Sequence, residues 1–256
     1  MFQLERKEKL LQYINEHKTA STKELCEKFG MTPVTIRSDI NDLAQSGLLI
    51  KIHGGAMSAQ HRLNIEVPTS RKMRQYVEEK QQIAELAVAH IQPGDMIILD
   101  SGSTTLEIAR RIKTKEVTVI TNDILIAKEL IDLGHVMVYV TGGRNLNSVY
   151  ALHGSETEEY LKKIRVNKLF LGCDAVNFDW GISNRTLEEV ATKRAMINAS
   201  REIFAVADSS KIGKEVFAHL CGLDEIDTLI TDRMSQEDID RLTALGVKVD
   251  LPGKDG

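Results

Sequence analysis

Residues 21–56 read STKELCEKFGMTPVTIRSDINDLAQSGLLIKIHGGA, and this stretch decides how the first part of the chain folds. Ser21-Thr22-Lys23-Glu24 has the spacing of a capping box, in which a hydroxyl and a carboxylate satisfy each other's free backbone N–H groups. The helix it opens carries Leu25 and Phe29 and stops at Gly30, which accepts the left-handed conformation of a helix end. Thr32 is an N-cap, and Pro33 stands at the first helical position, where a missing N–H costs nothing. This next helix ends before Gly47, so only a Gly-Met turn separates the two. That is the length of a helix-turn-helix.

Helical geometry then sorts the faces of the later helix. At ~100° per residue, Ile36, Ile40 and Leu43 share one side and must pack inward. Val34, Ser38 and Asn41 face outward, with Thr35, Arg37 and Asp42 on the flanks. A small, polar face with one guanidinium suits the major groove of DNA. There Arg37 and Asn41 can pair with a purine edge, and Thr35 and Ser38 can meet phosphates or bases. Upstream, a helix over 4–17 places Leu10, Leu11 and Ile14 at helical spacing. Downstream, the strand 48–52, a Gly-Gly turn and a return strand predict a wing carrying Lys51 and His53. The candidate DNA contacts are Ser21, Thr32, Val34, Thr35, Arg37, Ser38, Asn41, Lys51, His53 and Gly54, and the expected partner is double-stranded DNA.

Charge supports this polarity. Residues 1–74 hold 12 Lys and Arg against 8 Asp and Glu, while residues 75–256 hold 21 against 29, within a net charge of −4. A basic head on an acidic body fits an anionic polymer at one end. The chain is 42% hydrophobic with no apolar run of the ~18 residues that cross a membrane, so a cytoplasmic protein without membrane partners is expected. Cys26, Cys173 and Cys221 are scattered, which predicts buried thiols rather than a disulfide frame or metal site. No metal, cofactor or catalytic set is expected.

Residues 58–75 lose periodicity and read as a linker whose basic residues can touch DNA. From 76 onward, helices alternate with continuous apolar strands at 96–99, 117–120, 136–140, 168–171, 202–206, 228–230 and 247–250. That alternation predicts a Rossmann-like α/β domain with a mostly parallel sheet covered on both faces. In such sheets ligands bind where loops leave the carboxyl ends of strands. The best such loop is Asp100-Ser101-Gly102-Ser103-Thr104-Thr105, which opens a helix: its Gly, hydroxyls and helix N-terminus make a cradle sized for one phosphate monoester. Thr121-Asn122, Gly142-Gly143-Arg144, Asp174, Glu188 with Lys193, and Asp208 with Lys211 are candidates for the same crevice. They supply the carboxylate, amide and ammonium groups that hold a polyol phosphate.

The run Thr35-Ile36-Arg37-Ser38-Asp39-Ile40, then Gly47, then Lys51-Ile52-His53-Gly54-Gly55-Ala56, resembles the N-terminal signature of the DeoR/GlpR family of bacterial regulators. The strand-end loops from Lys80 to Asp232 resemble that family's C-terminal domain, similar in fold to ribose-5-phosphate isomerase. The resemblance implies a winged helix-turn-helix domain at 1–57 and a sugar-phosphate-sensing, oligomerising α/β domain at 76–256. It further implies a phosphorylated sugar or polyol effector, a homo-oligomer (dimer or tetramer), and repression relieved by the effector. Three positions depart from the family pattern: Ser38 where a second basic residue is usual, Lys51 where Arg is usual, and Ala175 after Asp174 where Gly is common. Two alternatives stand beside this reading: a sugar-phosphate isomerase-like enzyme, and a DNA-architectural protein whose second domain only oligomerises.

Overall fold

The computed structural model describes residues 3–46, 48–58, 68–112, 115–145 and 149–253. It divides into two compact units, residues 1–71 and residues 72–256. Gly47 and residues 59–67, which make up half of the stretch read as linker, lie outside the described residues.

The first unit holds α1 (Gln3–His17), β1 (Thr19–Ser21), α2 (Thr22–Phe29), α3 (Pro33–Gln45), β2 (Leu49–Ile52) and β3 (Gly55–Ser58). Its core is Leu10 and Ile14 of α1, Leu25 of α2, and Ile36, Ile40 and Leu43 of α3, closed by Leu49 and Ala56 of the hairpin. Each fully buried Leu or Ile contributes about 1.5–3 kcal/mol, enough to fix which face of a short helix turns inward. Both helix starts are capped as their sequences require, Ser21 with Glu24 in a capping box and Thr32 over Pro33.

The wing differs from its sequence reading in one respect. The turn is His53-Gly54, and Gly55 already belongs to the return strand. That strand also pairs with β1, Ser21 opposite Gly55, so the hairpin is part of a three-stranded sheet ordered β1-β3-β2. Gly55 is required by this close approach, since a Cβ there would fall 2.2 Å from the Ala20 carbonyl oxygen.

The second unit is built on a seven-stranded parallel sheet. Its strands are β4 (Met96–Leu99), β5 (Val117–Thr121), β6 (Val136–Val140), β9 (Val166–Gly172), β12 (Ser200–Val206), β14 (Thr228–Ile230) and β15 (Lys248–Asp250). Their spatial order is β15-β14-β12-β9-β4-β5-β6. Side chains alternate between faces. Ile97, Leu99, Phe170, Phe204 and Val206 meet Ile83, Ala84 and Ala87 of α5 (Val77–Ala89), with α6 (Ser103–Arg111) and α7 (Ile124–Leu130) completing that layer. Ile98, Leu169, Leu171, Ala205 and Leu229 meet α8 (Ser155–Lys162), α9 (Leu187–Ala199) and α10 (Gln236–Ala244) on the other face. Burial on both faces is why these strands read as unbroken apolar runs.

Two small antiparallel sheets escaped the sequence reading. The pair β7 (Arg144–Asn145) and β8 (Leu152–His153) is one, and β10 (Ala175–Asn177), β11 (Gly181–Asn184) and β13 (Ala218–Cys221) form the other. Among the described residues no helix is long and apolar enough to cross a membrane. Cys221 is buried, whereas Cys26 and Cys173 are half-buried as whole residues, and all three are free thiols.

Candidate functional site

On the first unit, α3 presents Val34, Arg37 and Ser38 to solvent, with Val34 77% exposed and Asn41 half-buried beside them. Two acidic residues of the same helix are held from α1. Asp39 is buried and accepts from Arg6 Nε at 2.6 Å and Nη2 at 3.1 Å. Asp42 accepts from Lys7 Nζ at 2.6 Å. Asp42 is thus engaged by α1 while its side chain stays partly exposed, and Arg37 is exposed on the outward face. Arg6 and Lys7 went unnoticed in the sequence because they lie 33 and 35 residues from their partners.

The remaining head residues divide by how their polar groups are used. Ser21 Oγ accepts from the Glu24 N–H at 3.1 Å, and Thr32 Oγ1 sits 3.0 Å from Thr35 Oγ1 while capping the Thr35 N–H. The Gly54 carbonyl accepts from the Thr22 N–H at 2.7 Å, which docks the hairpin turn on the start of α2. Lys51 and His53 are exposed on the hairpin.

On the second unit, a cleft of about 600 Å³, open on one side, lies at the carboxyl ends of β4, β9 and β12. The turn after β4 contributes Ser101, Gly102, Ser103, Thr104 and Thr105. Gly102 stands at the N-cap of α6 and supplies no side-chain hydrogen bond, so the first-turn N–H groups have no capping side chain at that position. The Thr105 hydroxyl donates to the Gly102 carbonyl at 2.9 Å and the Ser101 hydroxyl to Asp123 at 2.8 Å, which set the shape of the turn. Burial pushes the Asp123 carboxyl up, against the hydrogen bonds from Ser101 and the α7 N-terminus. Free helix N–H groups beside hydroxyls make a surface that favours an oxyanion.

Four ammonium groups line the same cleft: Lys72, Lys80, Lys193 and Lys211. Lys193 is buried against Asp100, its ammonium donating to the Asp100 carboxylate and, at 3.0 Å, to the Gly172 carbonyl. Asp100 also accepts the Gly172 N–H at 2.9 Å, so this pair laces the β4 loop to the β9 loop. Burial works to lower the Lys193 pKa, but Asp100, Glu189 and Asp174 outweigh it and hold the group above its ordinary value. Asp174 is likewise buried, which works to raise its pKa; the charges of Lys72, Lys211 and Arg185 prevail and hold it well below the usual carboxylate range. Lys72 Nζ donates to Asp174 at 3.1 Å. Asp208 caps the 3-10 turn Ser209–Lys211, accepting from the Ser210 N–H at 3.1 Å. Burial pushes the Cys173 thiol up to about 12, so it lines the cleft as a neutral group.

Several candidates are placed elsewhere. Thr121 is buried and accepts from the Asp123 N–H, and Asn122 donates to the Leu152 carbonyl at 3.0 Å. The Gly142 carbonyl accepts from Thr157 at 2.7 Å, and Gly143 adopts φ 115° with no room for a Cβ beside Thr157 Oγ1. Arg144 is exposed on β7, opposite His153. None of these lines the cleft. Glu188 is exposed, and Glu189 lines the cleft in its place. Helical phase explains the exchange: Glu189 is four residues from Lys193 and shares its face, whereas Glu188 is five away and does not.

Lys72, Gln75, Tyr76 and Lys80 line the cleft, although the first two fall in the stretch read as linker, where Lys72 counted only among basic residues that can touch DNA, and none of the four was expected in the cleft. A signal for Lys80 existed. It extends the stripe Ile83, Ala84, Ala87 at helical spacing, so a charge was heading into the core face of α5.

A helix-turn-helix joined to an α/β domain with an anion-suited cleft is the layout of a ligand-responsive transcriptional regulator. The DeoR-like helix-turn-helix domain profile matches residues 6–62, and the DeoR C terminal sensor domain profile matches residues 75–233. The chain belongs to the DeoR family. It is 30% identical to the putative aga operon transcriptional repressor of Escherichia coli O157:H7 over 98% of this chain and 94% of that one. It is 32% identical to the lactose phosphotransferase system repressor of Staphylococcus epidermidis (93% and 95% covered). It is also 32% identical to the HTH-type transcriptional repressor GlcR of Bacillus subtilis (97% and 96% covered). A solved ribose 5-phosphate isomerase A from Methanocaldococcus jannaschii covers 54% of this chain and 55% of its own, with 16% identity and a TM-score of 0.40. The protein is a DNA-binding transcriptional regulator and not an enzyme. The isomerase alternative is set aside, because the chain carries both domains of the DeoR family and these three relatives, each covering more than nine-tenths of it, are named as repressors.

Proposed function

We propose that this DeoR-family chain represses a sugar- or polyol-utilisation operon, and that a phosphorylated sugar or polyol bound in the cleft alters its hold on operator DNA. The observation that carries this reading is the Ser101–Thr105 turn at the α6 N-terminus, facing a cleft lined by four lysines. Its hydroxyls and N–H groups suit phosphoryl oxygens, and Asp208, Glu189 and Asn184 on the same lining suit sugar hydroxyls. The names of the relatives, which concern aga and lactose systems, favour a carbohydrate operon. In this reading the protein works in the cytoplasm as a homo-oligomer, a dimer or tetramer, since paired heads read a two-fold operator.

In the head, Arg37 and Asn41 read bases, Ser38 and Thr35 meet bases or backbone, and Lys51 and His53 of the wing meet phosphates. Ser21, Thr32 and Gly54 use their side-chain or carbonyl oxygens to hold the helices and wing, leaving only their outer surfaces for DNA. Arg37→Ala should cost ~1–3 kcal/mol of operator binding and relax preference at one base position. Equal weakening on all sequences would make Arg37 a phosphate contact instead.

Titrating operator binding with a panel of sugar and polyol phosphates tests the switch. A typical coupling of ~1–3 kcal/mol changes affinity by roughly 5–150-fold for the cognate compound. If a compound stabilises the protein thermally yet none of the panel moves operator affinity, the proposed regulation is wrong.

A further inference from the structure

Lys80 of α5 sends its ammonium to two main-chain carbonyls, that of Lys72 at 2.5 Å and that of Gln75. Among the described residues no carboxylate lies within ion-pair distance of it. The segment 72–76 is therefore fastened to α5 by a side chain that lies beyond its own end. The segment finishes at Tyr76 with φ 53°, and no side-chain hydrogen bond caps the helix there. Tyrosine keeps that left-handed conformation only where its surroundings impose it. A second tie is the Lys72 ammonium on Asp174. Both ties are thus ammonium groups of the cleft lining, and in chain order the segment follows directly on residue 71, the last of the DNA-reading unit.

We infer that Lys80 is a ligand-responsive latch: a doubly charged oxyanion in the cleft competes with the Lys72 and Gln75 carbonyls for its ammonium, and winning it loosens the segment that leads to the DNA-reading unit. The inference rests on the anion-binding reading of the cleft given above. Carbonyls hold an ammonium as neutral dipoles, whereas an oxyanion holds it with charge-assisted bonds about twice as strong. The ammonium is also poorly served where it is. Burial lowers its pKa to about 8, Asp208 offsets part of this, and the positive charges of Lys211 and Lys72 add to it. A dianion arriving among the three lysines relieves their mutual repulsion at once. Lys211 shares in this, because among the described residues it too has no carboxylate within ion-pair distance. The carbonyls released at Lys72 and Gln75 turn to water, and the constraint on Tyr76 goes with them.

The test is hydrogen–deuterium exchange of the full-length protein, with inorganic phosphate and fructose 6-phosphate as probes and thermal melting as the measure of binding. In the unsubstituted protein, a saturating probe that raises the melting temperature should speed exchange at residues 73–76 by roughly tenfold. Lys80→Met should show that faster exchange without any probe and change by less than about twofold when one is added. Lys80→Arg, which keeps the charge and length, should retain the response. Protection of β4 and β9 reports whether each variant has folded; if Lys80→Met fails that check, Lys80→Gln takes its place. A probe that stabilises the protein but leaves 73–76 unchanged overturns the latch and leaves the anion cleft standing. So does a folded Lys80→Met with full protection there. Failure of both probes to stabilise the protein removes the anion-binding reading and the latch together.

Discussion

The loops after β4, β9 and β12 and the loops after β5 and β6 leave the same edge of one sheet and carry similar residues: Gly, Asp, Asn, Ser and Thr. Only the first group meets around the cleft. Strand order supplies the difference. From β4 the chain steps outward through β5 to β6, then returns to the other side of β4 for β9, β12, β14 and β15. Loops diverge between β4 and β9, and a crevice opens at that switch point. On the β5 and β6 side the space is filled. The Asn122 carbonyl accepts from the Leu152 N–H, Asp123 bridges to Ala151, and Thr157 holds the Gly142 carbonyl. The same polar vocabulary thus lines an open cleft where loops part and serves the protein's own hydrogen bonds where they close.

The sharpest way to break this contrast is Asp100→Asn. It leaves the buried Lys193 ammonium facing a neutral partner and should cost ~3–5 kcal/mol in urea denaturation. Adding Lys193→Met should recover much of that loss, because the uncompensated charge is what destabilises. A single-variant cost under ~1 kcal/mol would mean that the pair does not frame the cleft.

Gly143→Ala probes the opposite side. An added Cβ would fall 2.4 Å from Thr157 Oγ1 and 2.8 Å from the His153 carbonyl oxygen, at a backbone φ of 115°. A loss of ~1–3 kcal/mol in stability is expected, with the thermal response to phosphate intact. Loss of that response in a folded variant would put the β6 loop back in the binding site and end the distinction.

The smallest expected effect is a pH slope. Lys80 has a folded pKa of about 8 against an ordinary 10.5, so it releases its proton more readily in the folded chain. Between those values the unfolded chain binds more protons, and this group's contribution to stability therefore rises with pH; the cost of burying the ammonium stands in full below about 8. Urea midpoints near pH 7 and 9.5 should rise more with pH in the unsubstituted protein than in Lys80→Met. Equal slopes would mean a hydrated ammonium rather than one fastened in the cleft lining.

The head was legible almost completely. Caps at Ser21 and Thr32, the stop at Gly30 and the inward stripe Ile36, Ile40, Leu43 are local rules, and the structure follows each of them. The exceptions are non-local: Arg6 on Asp39, Lys7 on Asp42, and the third strand that squeezes Gly55. In the sensor the seven strands could be read as apolar runs, since burial on both faces leaves little else to write there. The Ser101–Thr105 turn could also be read, because a Gly between hydroxyls at the end of a strand and the start of a helix is a local pattern.

The sequence by itself determined two domains, their elements, the outward face of α3 and the turn that opens α6, all set by periodicity and capping within about a dozen residues. Only the tertiary structure decided which loops meet. It chose Glu189 over Glu188, brought in Lys72 and Lys80 from a stretch read as linker and helix, and sent Thr121, Asn122 and Gly142 to structural duty. The reason is physical. Hydrogen bonds along the chain depend on neighbours, whereas a cleft depends on strand order and on which buried charges find each other across a hundred residues.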